Sequence, residues 1–265
     1  MKFALFILPS WPEQDTKHQS RAFGEAVEQI QFAEELGFDS VWLAEHHFTR
    51  FGVCPLALPF AHFVAAKTSK IRIGTGVTVV NFHDPIFLAE EAAMLDVLSG
   101  GRLDFGIGRG QVVYEYNNFK VDYETRTQRF EEILDVMLGL WTTPGFSYDG
   151  VFYQINDMTI TPTPIQQPHP PVYLAVSRSA ASVDVAISRD LPILTGANTP
   201  DDDVLGIRSL YYDGCAAAGK NPLAQQMPFF RLSYLAEDEK HAREDPREAL
   251  TWVRDLNGLR RTLTD

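Results

Sequence analysis

Cysteine is nearly missing from this chain. Cys54 and Cys215 are the only two in 265 residues, and neither belongs to a C-x-x-C or a Cys/His ligand spacing. That rules out a disulfide scaffold and a small zinc-ribbon class, and it points to a reducing cytoplasm. Long apolar runs are absent too. The apolar stretch without a charged residue at Phe51 to Ala66 contains His62 and two prolines, short of the roughly 20 apolar residues a membrane span needs. The apolar start, Phe3 to Leu8, is followed by Pro9 and Pro12 with no small-residue cleavage site, so it reads as a buried strand rather than a secretory signal. Basic clusters are also lacking. Lys and Arg number 23 against 35 Asp and Glu, a net charge of −12 spread along the chain, which argues against a nucleic-acid partner.

What is present is alternation. Apolar, β-branched-rich runs at Phe3 to Leu8, Ser40 to Ala44, Ile71 to Val80, Leu103 to Ile107, Val172 to Val176, Leu191 to Thr195 and Phe229 to Ala236 read as strands. Continuous apolar character is what a strand covered on both faces requires. Between them, Arg21 to Leu36 places Ala22, Ala26, Ile30, Ala33 and Leu36 at helical spacing, with Gly37 as the stop. Further helices are predicted over Leu56 to Lys67, Pro85 to Leu98, Thr125 to Trp141, Ser182 to Ser188 and Asp203 to Ala218. The proline-rich stretch at about 145–171, with FSYDGVFYQI around an Asp149-Gly150 turn, predicts an inserted hairpin and a long connection.

Strand-helix alternation of this kind predicts an α/β fold, a (β/α)₈ TIM barrel occupying 1–265 as one domain. The eighth strand-helix unit is not evident. After Ala236 the sequence EDEKHAREDPREALTWVRDLNGLRRTLTD is charged and helix-like, so 237–265 is expected to be a helical extension. The expectation is then a fragment, or a gap covered by a partner or by a variant closure, because natural sheets avoid bare edges.

In a barrel the chemistry sits at the C-terminal ends of the strands. WLAEHHFTRFG places Glu45, His46 and His47 after the second strand. An imidazole titrates near neutral pH, and a neighbouring carboxylate would fix its tautomer. GRLDFGIGRGQ places Arg109 among Gly106, Gly108 and Gly110 after the fourth strand, a backbone that lets a ligand approach beside a planar fork for phosphate. It is not a dinucleotide fingerprint, because the glycine spacing is wrong and QVVYEYNNF follows instead of a helix. AVSRSAAS places Ser177, Ser179 and Ser182 at a helix start, either an anion cradle or a plain N-cap. Arg126, opening the helix after the fourth strand, is a further candidate for the same anion.

Together, WLAEHHFTRFG, IRIGTGV, GRLDFGIGRG and PVYLAVSRSA resemble the bacterial luciferase-like flavin-dependent monooxygenases, from Met1 to about Ala236. The resemblance implies a (β/α)₈ barrel that takes reduced FMN from a separate reductase and uses O₂ to oxygenate a small organic substrate. It implies that His46 handles protons with Glu45 beside it, and that Gly76-Val77 form a non-proline cis peptide against the flavin ring. It further implies that Arg109, Arg126 and the stretch Ser177, Ser179, Ser182 hold the phosphate, and that the protein is a homodimer. Where the luciferases proper carry a cysteine before the arginine this chain has Gly108, which speaks against light emission. Trp11, Phe48, Phe51, Phe82 and Tyr114 suggest an apolar or aromatic substrate.

Three alternatives stand beside this. One is a deazaflavin-dependent oxidoreductase of the same superfamily, and another a non-catalytic flavin-binding protein. The third, a metal-dependent hydrolase using His46, His47 and His83, is weaker because adjacent strand residues point to opposite faces.

Overall fold

The structure, a computed structural model, describes residues 1–12, 19–177, 179–221 and 227–262. They gather into two compact units. The first comprises Met1–Phe105, Arg109–Pro171 and the chain from Val253; the second comprises Gly106–Gly108 and Val172–Trp252.

The first unit opens with β1 (Ala4–Ile7), α1 (Ser20–Glu35), β2 (Ser40–Leu43), α2 (Ala57–Lys67) and β3 (Arg72–Thr75). Strands β1, β2 and β3 pair in parallel, Ala4 with Ser40 and Ser40 with Arg72. Helix α1 buries Ala22, Ala26, Val27, Ile30 and Ala33, the single apolar stripe that its spacing predicts. Next come β4 (Thr78–Val79), a short 3-10 helix (Val80–Phe82), α3 (Pro85–Ser99) and β5 (Leu103–Gly108). Helix α3 is well bounded. Asp84 accepts the backbone N–H groups of Ile86 and Phe87, Pro85 fills the first turn, and Gly100 closes the helix in the left-handed region at φ 71°. Strand β5 pairs in parallel with β3 through Ile73 and Leu103. Then follow α4 (Val113–Phe119), α5 (Arg126–Thr142) and an antiparallel hairpin, β6 (Phe146–Asp149) with β7 (Gln154–Met158), the insertion expected around Asp149-Gly150.

The core of this unit is made of strand residues such as Val41, Leu43, Ile73 and Phe105 under helix residues such as Ile30, Leu88 and Ile133, all buried. Each fully buried side chain of this size contributes about 1.5–3 kcal/mol. The N-terminal ends of the strands are held by charges bound to backbone. Arg72 grips Asp104 with two bonds of 2.8 Å and donates to the carbonyls of Gly101 and Leu103. Arg102 donates to the carbonyls of Ser99 (2.7 Å), Ala65 (2.9 Å) and Ile71 (3.0 Å). Glu34 accepts from the amides of Ser69, Lys70 and Ile71. Burial raises its pKa, but these three bonds and the charge of Arg102 bring it below the ordinary value.

The second unit holds β8 (Val172–Ala175), α6 (Ala180–Ser188), β9 (Ile193–Leu194), α7 (Asp201–Ala217) and α8 (Glu239–Glu244). Strands β8 and β9 are parallel, Leu174 beside Ile193. The buried Tyr211 of α7 donates its hydroxyl to the Leu191 carbonyl at 2.9 Å. A last helix, α9 (Arg247–Thr262), continues the helical character expected of the charged extension, whose residues 263–265 lie outside the described part.

Three expectations need correction. The strand predicted over Ile71 to Val80 is broken at Gly76-Val77 and turns into the 3-10 helix. The strand predicted over Phe229 to Ala236 is only an isolated bridge between Thr195 and Phe229. Leu235 there is 93% exposed, so its apolar pattern is not matched by burial. Finally, QVVYEYNNF does form a short helix, α4, although the glycine spacing before it remains unlike a dinucleotide turn. Among the described residues no strand follows β9.

Candidate active site

The candidate site of the first unit is built past the ends of β2 and β3 and from Arg109 onward. Glu45, two residues past β2, has a side chain wholly sealed from solvent. It acts as a junction. Its Oε2 accepts the Ala57 N–H at 3.2 Å, and its Oε1 accepts the Val79 N–H at 2.9 Å. Leu56, before α2, cannot cap that helix with its side chain, so a carboxylate from 12 residues upstream does so. The Nε2 atoms of His83 and His47 lie 3.4 and 3.5 Å from the same Oε1. Burial pushes the carboxyl pKa up, but the bonds to His47 and His83, the charge of His83 and the Val79 amide outweigh it and hold it at about 2. Glu45 is therefore an ionised anchor whose histidine partners are His47 and His83, whereas the sequence suggested His46.

His46 itself is half-buried. Its amide donates to the Cys54 carbonyl at 3.0 Å, and its ring lies 5.4 Å from that of Phe51. Gly52 makes room for it, since a Cβ there would fall 2.8 Å from His46 Cδ2 and from Leu8 Cδ1. The neighbouring thiol is inert: burial, and then the charge of Glu45, raise the Cys54 pKa to about 12.

The Gly76-Val77 peptide is cis, as the sequence resemblance implies, and both residues are half-buried. The Gly76 amide donates to the Leu43 carbonyl at 2.7 Å, and a Cβ on Gly76 would meet the Phe6 ring at 3.1 Å.

Arg109 and Arg126 are both half-buried. Arg109 donates from Nη1 to the Thr127 hydroxyl at 2.8 Å. Arg126 lies over the Tyr123 ring at 3.8 Å and donates to the Tyr123 carbonyl at 2.7 Å. Gly110, at φ +77°, permits the turn after Arg109, where a Cβ would strike Val79 Cγ1 at 2.7 Å. Behind the arginines, the buried Asn81 donates to the Tyr116 hydroxyl (2.7 Å) and to the Arg126 carbonyl (2.8 Å), and Tyr116 donates to the Arg109 carbonyl. Asn81, Tyr116, Thr127 and Gly52 are residues that the sequence reading missed. The polar-aromatic run after Gly110 was the one visible signal for Tyr116.

The serines belong to the second unit. Ser177 is exposed, Ser182 is buried, and Ser179 precedes α6 without a side-chain cap bond. Ser179 lines a hollow of about 290 Å³ with Val183, Gly206 and the carboxylate residues Asp202 and Asp203. Two carboxylates there make that hollow a poor anion site.

Aromatic rings crowd beside His47. Phe119 stacks on Phe82 at 4.6 Å and also meets His47 (4.8 Å) and Phe48 (5.2 Å). Phe48 is exposed and adopts φ 56°, an unusual backbone for a bulky residue. Trp11 and Phe51, suggested as rim residues, are instead buried in the core. Among the described residues no group of three or more His, Cys, Asp or Glu is arranged to hold a metal ion, and no helix is long and apolar enough to cross a membrane.

A flavin mononucleotide asks for an anion site and a flat support. Two guanidinium groups steered by hydroxyl, carbonyl and ring partners fit the first. A half-buried glycine edge that leaves backbone uncovered fits the second.

Known proteins bear on this arrangement. The chain is 32% identical over 248 residues to the oxygenase component of the flavin-dependent trigonelline monooxygenase of Acinetobacter baylyi, covering 91% of this chain and 67% of that protein. It is 30% identical over 194 residues to an alkanal monooxygenase alpha chain of Photorhabdus luminescens, covering 73% of this chain and 53% of the other. Thus it spans about two thirds of one relative and half of the other. The crystal structure of monooxygenase RslO1 from Streptomyces bottropensis superimposes with a TM-score of 0.90 at 30% identity, covering 97% of this chain and 79% of that one. The family described as luciferase-like monooxygenase matches residues 1–262. With its parallel strand-helix units and these matches, the chain belongs to the luciferase-like flavin-dependent monooxygenase family and has that family's TIM-barrel fold class, with no strand after β9 among its described residues.

Proposed function

We propose that this protein is the oxygenase component of a two-component monooxygenase, taking reduced FMN from a separate reductase and using O₂ to oxygenate a small apolar or aromatic substrate in the cytoplasm. The observation that carries this reading is the tying together of both arginines through Asn81 and Tyr116, in the unit that also holds the half-buried Gly76-Val77 cis peptide. The similarity to the Acinetobacter and Photorhabdus monooxygenases supports it.

In this reading Arg109 and Arg126 bind the flavin phosphate. Gly76 and Val77 support the ring. When bound, the reduced flavin supplies the electrons that activate O₂. His46 holds and returns a proton at one of its ring nitrogens, as an imidazole with an unperturbed pKa near 6.5 is suited to do. Glu45 is a positioning residue that fixes His47, His83 and the start of α2. The ring cluster of Phe48, Phe82 and Phe119 excludes water and favours an apolar partner.

We further propose a homodimer. Phe63 on α2 and Phe87, Met94 and Leu98 along one face of α3 are exposed, an apolar face of the kind that marks an interface. Light scattering should give twice 29.8 kDa; the monomer mass would refute it.

Anaerobic titration with reduced FMN, followed by oxygen and a panel of small aromatic and aliphatic compounds, tests the activity. Saturable binding with substrate-dependent oxygenated product is expected. Binding of reduced deazaflavin in preference to reduced FMN, or oxygen uptake that yields only hydrogen peroxide with every compound, would overturn it. His46→Ala should bind reduced FMN as the wild type does while diverting oxygen to peroxide.

A further inference from the structure

We infer that Asn81 and Tyr116 are positioning residues for phosphate recognition, forming a buried crosspiece that sets the two arginines as a pair. The inference rests on the reading of Arg109 and Arg126 as phosphate ligands, and it assigns work to two residues that touch neither flavin nor substrate.

The direction of the crosspiece is fixed by its ends. Both ends are backbone carbonyls, which can only accept. The Asn81 amide nitrogen must therefore face the Arg126 carbonyl (2.8 Å), and the Tyr116 hydroxyl hydrogen must go to the Arg109 carbonyl. The middle link then follows, because the hydroxyl oxygen is left to accept from Asn81 at 2.7 Å. Each of these two side chains is fully buried. Burial raises the Tyr116 pKa, while the bond from Asn81 and then the charges of Arg126 and Arg109 act on its hydroxyl in the opposite sense.

Two like charges brought to one place repel and would drift apart on long, flexible stems. Here Arg109 stands before a glycine at φ +77°, a turn with little stiffness of its own. Arg126 opens a helix whose N-cap residue, Thr125, makes no side-chain cap bond. Arg109 reaches that helix directly through its 2.8 Å bond to the Thr127 hydroxyl, and the Asn81–Tyr116 crosspiece links the two backbones, Arg109 carbonyl to Arg126 carbonyl. Affinity for the phosphate should depend on it, and affinity for the ring should not.

The experiment compares the binding of FMN and of riboflavin, which lacks the phosphate, to the wild type and to Tyr116→Phe, with Asn81→Leu as a second variant. In Tyr116→Phe the FMN-to-riboflavin affinity ratio should fall about three- to tenfold, the span expected for one neutral hydrogen bond, with riboflavin affinity unchanged. Asn81→Leu, which removes both of its donated bonds, should lower the ratio further. An unchanged ratio, or equal losses for both ligands, would overturn the inference and leave an ordinary structural role. Arg109→Ala separates the two levels. If it collapses the ratio while Tyr116→Phe does not, only the positioning role falls. If it leaves the ratio intact, the phosphate reading falls and the inference with it.

Discussion

The two ends of the parallel strands in the first unit use charge in opposite ways. At the N-terminal end, Arg102 and Glu34 spend their hydrogen bonds mainly on backbone groups and Arg72 divides its bonds between the Asp104 carboxylate and backbone carbonyls, several at 2.6–2.9 Å. At the C-terminal end Glu45, Asn81 and Tyr116 are sealed, while His46, Gly76, Val77, Arg109 and Arg126 stay half-buried. One end is saturated and so can do little besides hold the strands. The other is partly open to solvent, which is what a ligand site needs. This matches the general rule that strand C-termini carry the chemistry of such folds and strand N-termini their stability.

The contrast can be broken by substitution. Arg102→Ala should have the largest effect on stability, leaving several carbonyls without a donor and costing roughly 2–4 kcal/mol. Thermal unfolding checks the loss, and turnover per folded molecule should be unaltered.

Glu45→Gln comes next and carries a pH signature. The carboxyl is held at about 2 against an ordinary 4.5. A lowered folded-state pKa gives stability that is present above about 4.5 and lost as the pH falls toward 2. The wild type should lose about 3 kcal/mol across that window from this group alone. Glu45→Gln should be less stable at neutral pH and show a flatter acid limb. An unchanged acid limb in urea unfolding would remove Glu45 from its place as an ionised anchor.

The smallest stability change is expected for Gly52→Ala. Its new methyl group would fall 2.8 Å from His46 Cδ2, an overpacking cost of about 1–2 kcal/mol. Because the displaced group is the proposed proton carrier, product formation should drop about tenfold while riboflavin affinity holds. Equal losses in both would mean that the ring is not specially placed.

Much of this was legible in the sequence because it is local. Helices α1 and α3 carry their own stripes and stops, and β1, β2 and β5 are continuous apolar runs. The strand predicted through Val80 failed because a run such as IRIGTGVTVV looks the same whether or not the backbone turns at Gly76-Val77. Phe229 to Ala236 failed because apolar character was read as burial. At the site, His46 and Arg109 stood out by type and by position after a strand. Asn81 did not, because its partners lie 35 and 45 residues away. Nor did the link from Glu45 to His83, 38 residues apart.

The most direct measurement is the equilibrium affinity for reduced FMN, taken anaerobically for one variant from each end. Arg109→Ala should weaken binding by about 1.5–3 kcal/mol, at least tenfold, through loss of a charge-assisted phosphate bond. Arg102→Ala should leave the affinity of its folded fraction unchanged. Equal losses in the two variants, or none in Arg109→Ala, would contradict the division between a scaffold end and a flavin-binding end.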